Sequence, residues 1–108
     1  MMTARPKKMS DDERSALMAD LEGWALVQEG KAIQKEFRFT NFNAAMGFMM
    51  RAGLKAEQLD HHPEWFNVYN RVDVTLTTHD VQGLTILDKQ LAEAMDKIAA
   101  SSGLKAHK

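Results

Sequence analysis

A chain of 108 residues is the size of one ordinary domain and is too short for two well-buried cores. Apolar residues make up 44% and charged residues 27%, which is typical of a soluble globular protein. The formal net charge of −1 gives no electrostatic support for binding to nucleic acid or to an anionic membrane, and the lack of cysteine excludes disulfides, zinc–thiolate sites and thiol catalysis.

Signals for targeting to or across a membrane are not evident in the sequence. No apolar run approaches the ~20 residues that span a bilayer, and the N-terminus lacks the apolar region of a signal peptide. We therefore expect a cytoplasmic protein. We also expect residues 1–9 to be a disordered N-terminal arm and residues 10–103 to form a single domain.

The first part of the domain predicts a helix followed by a β-hairpin. Ser10 and Glu13 match the capping-box pattern, which predicts a helix over about residues 11–21. Two β-rich runs, residues 24–28 and 31–39, are separated by a pair that contains glycine. This arrangement is typical of two antiparallel strands joined by a short turn.

A second helix is predicted over about residues 42–54, where apolar side chains recur at helical spacing. Its apolar positions include Met46, Met49 and Met50. Methionines at such positions can form an adaptable binding surface or fill gaps in a core with a flexible side chain. We adopt the second interpretation as the expectation.

A second hairpin and a third helix complete the pattern. Val72, Val74 and Leu76 alternate with polar residues, which is the period of a strand with one buried face. Thr85 and Asp88 then fit a capping box in its aspartate form, so the third helix is predicted to begin at Thr85.

The predicted order is helix, hairpin, helix, hairpin, helix, which favours an α+β fold. Two hairpins can join into one four-stranded antiparallel sheet. Three amphipathic helices can then cover one face of that sheet, which leaves the other face for a ligand or a partner subunit. The fold class is therefore α-β-β-α-β-β-α, with the helices packed on one face.

Histidines are the strongest candidates for chemistry. His61 and His62 precede one strand of the second hairpin, and His79 follows the other strand. Because antiparallel strands place the start of one beside the end of the next, we expect these three side chains to be neighbours. Imidazoles titrate at about pH 6.5, so such a cluster permits acid–base chemistry near neutral pH.

The local sequence leaves alternatives open. A histidine pair before a proline can cap a turn or bind backbone groups, and three histidines can hold a metal, although neither the HxH nor the HxxxH spacing is present. Trp24 and Trp65 can be packing residues or an aromatic wall for a planar heterocycle.

The run from Leu59 to Val72, which contains His-His-Pro-Glu-Trp, and the Thr-His pair at Thr78-His79 resemble the pterin-4a-carbinolamine dehydratase family. The resemblance extends over about residues 24–98 and includes the Gly-Leu-Thr that precedes the third helix. Animal members of this family also act as a dimerization cofactor of a homeodomain transcription factor.

The resemblance implies a hydro-lyase that dehydrates 4a-hydroxytetrahydropterin, such as 4a-hydroxytetrahydrobiopterin, to quinonoid dihydropterin in tetrahydrobiopterin recycling. The family needs neither metal nor cofactor, because a ring nitrogen supplies the electrons that expel the hydroxyl. The resemblance also implies a homodimer or homotetramer. A binding role, like that of the animal coactivators, is the alternative function.

The resemblance also implies the residues of the site. His61, His62 and His79 would be catalytic, with His61 and His79 exchanging protons and His62 positioning the pterin. Further contacts with the substrate would come from Pro63, Thr78, Asp80, Val81 and Trp24. Orienting roles would fall to Glu57, Asp60 and Asp88.

This chain departs from the animal members at two places. Leu87 stands where they carry an arginine, which puts any polar contact from that position in doubt. Thr77-Thr78 replaces a Ser-Thr pair, and both departures leave the histidines intact.

Overall fold

The computed structural model describes residues 6–105 and contains three α-helices and four β-strands. In chain order they are α1 (Asp11–Asp20), β1 (Ala25–Val27), β2 (Ala32–Arg38), α2 (Phe42–Leu59), β3 (Glu64–Val68), β4 (Arg71–Leu76) and α3 (Ile86–Ala100). Short 3-10 turns lie at Gln28–Gly30 and His79–Val81. The predicted α+β order is confirmed.

The four strands form one antiparallel sheet in the order β1-β2-β4-β3. The two hairpins therefore meet through β2 and β4, where Ile33 pairs with Leu76 and Phe37 with Val72. These four side chains are buried, whereas their neighbours along each strand point to the opposite face. One face of the sheet thus supplies the core, as the alternation in the sequence predicts.

All three helices pack on that buried face. Leu17 of α1, Phe48 of α2 and Leu91 of α3 belong to the same cluster of buried side chains as the sheet residues. Phe48 lies at the centre, with its ring centroid 4.9 Å from that of Phe37 and 5.0 Å from that of Phe39. Burying these aromatic surfaces stabilises the packing of α2 against the sheet.

Helix α2 is longer than the sequence analysis predicts. It ends at Leu59 rather than near Leu54, so that boundary was wrong. The residues after Leu54 include good helix formers and no glycine or proline, and Ala56 continues the buried stripe. The extension carries the helix to the residue before Asp60, next to the histidine pair.

The N-terminal segment is ordered in its last part. The backbone N–H of Met9 donates to the carbonyl oxygen of Leu84 at 2.8 Å, and the Met9 side chain packs against the core. The arm expected to be disordered over residues 1–9 is therefore attached at its end. Residues 1–5 and 106–108, including His107, lie outside the described residues.

Within residues 6–105, no helix is both long enough and apolar enough to cross a bilayer.

Phe48→Ala tests the central place of this ring in the core. Because the side chain is fully buried, we expect a loss of about 3–5 kcal/mol in the free energy of unfolding. Urea denaturation monitored by circular dichroism would measure it. The matched control is Gln58→Ala on the exposed side of α2, which should stay within about 0.5 kcal/mol. Equal effects of the two substitutions would contradict the assignment.

Candidate active site

A cleft of about 220 Å³ lies where the end of α2 meets the end of β4. It is lined by Asp60, His61, His62, Thr77, Thr78, His79 and Asp80. The hairpin creates this neighbourhood, since Glu64 at the start of β3 pairs with Thr75 near the end of β4. The structure thus brings His61, His62 and His79 to one place.

The end of α2 sets the position of His61. Asp60 adopts a left-handed conformation with φ 51° and ψ 43°. The backbone N–H of His61 then donates to the carbonyl oxygen of Ala56 at 3.0 Å. The backbone N–H of Asp60 donates to the carbonyl oxygen of Glu57 at 3.1 Å. These two bonds form a Schellman motif, in which glycine is the usual left-handed residue. The helix end therefore fixes the backbone from which His61 extends.

His61 is held by a buried carboxylate. Its Nε2 lies 2.6 Å from Oδ1 of Asp88, which is in the first turn of α3. His61 is only 6% exposed and Asp88 is fully buried. Because water scarcely reaches this pair, its hydrogen bond is strong and either partner would be costly to leave unpaired.

The second oxygen of Asp88 is also satisfied. Oδ2 accepts hydrogen bonds from the Thr78 hydroxyl at 2.7 Å and from the Thr85 backbone N–H at 3.0 Å. The bond from Thr85 belongs to the capping box predicted for α3. One carboxylate therefore caps a helix and orients an imidazole.

The other two histidines also contact carboxylates, but at the surface. Nε2 of His62 lies 2.8 Å from Oε1 of Glu57, and Nε2 of His79 lies 2.7 Å from Oε2 of Glu64. The His62 and His79 side chains are 57% and 76% exposed. Such exposed contacts add little stability, so these rings can still turn toward a ligand.

The predicted site residues fall into three groups. Asp60, Thr78 and Asp80 line the cleft with the histidines. Glu57 and Asp88 do not line it but contact histidine side chains. The third group also lies outside the lining and consists of Pro63, in the loop before β3, Val81, in the turn that begins at His79, and Trp24.

Trp24 has a different environment from the one predicted. It is 6% exposed, its ring packs edge-on against Phe37, and its indole N–H donates to the Asp96 carboxylate at 3.1 Å. Its side chain points to the helix-covered face and is bound there by α3. The packing interpretation describes this geometry, and the structure does not bring Trp24 to the cleft.

Three residues of this region were missed by the sequence analysis. Glu64 contacts His79, Thr77 lines the cleft, and Thr85 contacts both Asp88 and Thr78. The signal for Glu64 was present in the hairpin, because the first residue of β3 must lie near the residues that follow β4. Thr85 was identified as a cap only.

The arrangement suits proton transfer. Each histidine has its own carboxylate, which orients the ring. Among residues 6–105, no three histidine, cysteine, aspartate or glutamate side chains are grouped so that they could hold a metal ion. The cleft therefore presents several groups that can donate or accept a proton within one small volume.

Comparison with known proteins gives one consistent relationship. The family model described as pterin 4 alpha carbinolamine dehydratase matches residues 7–98. A protein of Novosphingobium aromaticivorans, provisionally named pterin-4-alpha-carbinolamine dehydratase, is 57% identical over 89 residues, which are 82% of this chain and 93% of that protein. A protein of Rhizobium johnstonii with the same provisional name is 59% identical over 96 residues, or 86% of this chain and 95% of the relative.

A solved structure agrees with these similarities. The crystal structure of a transcriptional coactivator/pterin dehydratase from Brucella melitensis matches with a TM-score of 0.83 at 48% sequence identity. The match covers 86% of this chain and 99% of that one. Similarity therefore extends over nearly the whole domain and includes the cleft.

Asp88→Asn tests the buried carboxylate. An amide cannot accept all the hydrogen bonds that converge on Asp88, so we expect a loss of about 1–3 kcal/mol in the free energy of unfolding. Urea denaturation would measure the loss. Glu57→Gln, which changes an exposed carboxylate bound to a histidine, is the control and should stay within about 0.5 kcal/mol. An Asp88→Asn variant as stable as this control would show that the buried contacts carry no net stability.

Proposed function

The chain belongs to the pterin 4 alpha carbinolamine dehydratase family, and from that premise we propose that it is the hydro-lyase that dehydrates 4a-hydroxytetrahydropterin. The product would be quinonoid dihydropterin, as in tetrahydrobiopterin recycling. The observation that carries the proposal is the cleft lined by His61, His62 and His79. The lack of cysteine fits a protein of the reducing cytoplasm, where we propose that it acts.

The proposed reaction requires two proton transfers. The hydroxyl at C4a leaves as water once an acid protonates it, and a base removes the proton from the neighbouring ring nitrogen. The electrons of that N–H bond form the new C=N bond, so the proposed route uses no metal and no cofactor. We assign the two transfers to His61 and His79, and the positioning of the pterin to His62.

The volume of the cleft supports a small ring system as the ligand. Its volume of about 220 Å³ is below the ~300 Å³ at which pockets for drug-sized ligands begin. A bicyclic pterin would enter while the substituent on the ring remained in solvent. The proposal therefore covers 4a-hydroxytetrahydrobiopterin and pterins with other substituents alike.

An apolar stripe on α2 supports the proposed homodimer or homotetramer. The stripe consists of Phe42, Met46, Met50 and Leu54, which follow one another at four-residue spacing and are 41–62% exposed. Met46 and Met50 therefore do not fill the core, in contrast to the interpretation adopted from the sequence. A continuous apolar stripe of this kind is typical of an interaction surface.

The same stripe favours a binding role as the second candidate function. The Brucella melitensis neighbour is described as a coactivator as well as a pterin dehydratase. A partner protein with an amphipathic helix could pack on the stripe of this chain. The net charge of −1 argues against direct contact with nucleic acid.

A coupled assay tests the dehydratase proposal. An aromatic amino-acid hydroxylase would generate the 4a-hydroxypterin, and ultraviolet absorbance would follow its decay. We expect the wild-type protein to accelerate the decay, with and without a chelator. His61→Ala and His79→Ala should each lower kcat about 100-fold, because each removes one proton-transfer group.

Asp12→Ala, an exposed substitution in α1, serves as the control and should keep wild-type activity. Full activity in both histidine variants would refute their assignment. A well-folded wild-type protein without activity would refute the dehydratase and direct attention to the binding role.

Met50→Glu tests the apolar stripe as the surface that joins copies of the chain. A carboxylate at this position would be costly to bury, so we expect sedimentation velocity to show a shift toward smaller species. Ser15→Glu adds the same charge on the exposed side of a different helix, α1, and should leave the association state unchanged. Identical profiles for the two variants would place the interface elsewhere.

A further inference from the structure

The hydrogen bonds around Asp88 have a direction that the distances alone do not give. The backbone N–H of Leu87 donates to the Thr85 hydroxyl oxygen at 3.2 Å, and the backbone N–H of Thr85 donates to Oδ2 of Asp88 at 3.0 Å. A backbone N–H can only donate. The donor and the acceptor of both bonds are therefore known. In one bond the Thr85 hydroxyl oxygen is the acceptor, and in the other the Thr85 backbone N–H is the donor.

The Thr78 hydroxyl has one proton and two partners. Its oxygen lies 2.7 Å from Oδ2 of Asp88 and 2.9 Å from the hydroxyl oxygen of Thr85. An ionised carboxylate only accepts hydrogen bonds, so the Thr78 proton goes to Asp88. The Thr85 hydroxyl must then donate to Thr78, because otherwise neither hydroxyl would supply a proton to their shared contact.

Donors from three groups converge on this one carboxylate. Thr78 and the Thr85 backbone N–H occupy Oδ2, which leaves Oδ1 for His61. The two donors on Oδ2 match a carboxylate that only accepts hydrogen bonds, and Asp88 is fully buried. Oδ1 is then an acceptor, and Nε2 of His61 must carry the hydrogen. Its Nδ1 keeps a lone pair.

We infer that the Thr85 and Thr78 hydroxyls form a one-way hydrogen-bond chain that holds neutral His61 in its Nε2–H tautomer, which makes both threonines positioning residues for proton acceptance at Nδ1. The inference rests on the proposed dehydratase function. It assigns His61 as the base, so that His79 supplies the proton to the departing hydroxyl.

The proton and electron balance follows from this assignment. The ring N–H proton of the substrate moves to Nδ1 of His61, and the electron pair of that bond forms the C=N bond as the C–O bond breaks. The hydroxyl takes a proton from His79 and leaves as water. The exposed His79 side chain regains a proton from solvent, and His61 releases the proton that it accepted once the product has left the cleft.

The two surface histidines differ from His61 in the carboxylates that they contact. His62 and His79 contact exposed glutamates, where water competes for every hydrogen bond. The inference therefore distinguishes His61 from the other two, which are expected to exchange between tautomers.

Nuclear magnetic resonance tests the tautomer without reference to activity. Long-range ¹H–¹⁵N spectra of the wild-type protein in mildly alkaline buffer would be assigned by comparison with His61→Gln. We expect the His61 ring to show a protonated Nε2 and an unprotonated Nδ1. A protonated Nδ1 would overturn the inference, because either Asp88 would then carry the shared proton or the imidazole would be charged, and in both cases Nδ1 would have no lone pair to accept a proton.

Thr78→Val and Thr78→Ser test the hydroxyl with matched variants. Valine keeps the branched shape and removes the hydroxyl, whereas serine keeps the hydroxyl and removes a methyl group. We expect Thr78→Val to shift the His61 ring toward mixed tautomers and to lower kcat about tenfold. Thr78→Ser should restore both the tautomer and kcat.

The outcomes separate the inference from the proposed function. If Thr78→Val leaves the tautomer unchanged, or if Thr78→Ser is as impaired as Thr78→Val, the hydroxyl chain does not position His61. If the wild-type protein has no dehydratase activity, the proposed function fails, and the spectra still decide whether the hydroxyls set the tautomer.

Discussion

The contact between His61 and Asp88 joins parts of the chain that are 27 residues apart in sequence. It ties the end of α2 to the first turn of α3, and Thr78 adds the end of β4 through the second oxygen. Because the cluster is buried, each of its polar groups must find a partner within the protein. The cleft exists where these three elements are held together, so its shape depends on a fully satisfied polar network.

The three histidines differ in how firmly they are held. His61 is buried in that network, whereas His62 and His79 lie at the rim with exposed glutamates. A rigid ring suits the step in which the acceptor atom must already point at the substrate. Mobile rings suit a group that has to follow a departing oxygen. The geometry thus combines one buried and two exposed imidazoles in a small volume.

Local patterns were sufficient for the fold. Alternation in β4 and the capping boxes at Ser10 and Thr85 each correspond to a short-range interaction that the structure retains. The antiparallel hairpin likewise brought His79 toward His61. The sequence was insufficient where a side chain chooses between distant partners, as Trp24 does in binding Asp96, and where packing extends α2 beyond Leu54. Asp88 illustrates this limit of sequence-based prediction. The sequence predicted that Asp88 caps α3, but it did not predict the contact between Asp88 and His61.

The left-handed Asp60 at the end of α2 has a consequence for selection on this domain. Glycine would adopt that conformation without strain, while a residue with a side chain loses about 1 kcal/mol there. Asp60 also lines the cleft, so the position that would favour glycine for stability is used to present a carboxylate. Replacing Asp60 with glycine would relieve this backbone strain, but it would also remove a carboxylate and its interactions from the cleft wall.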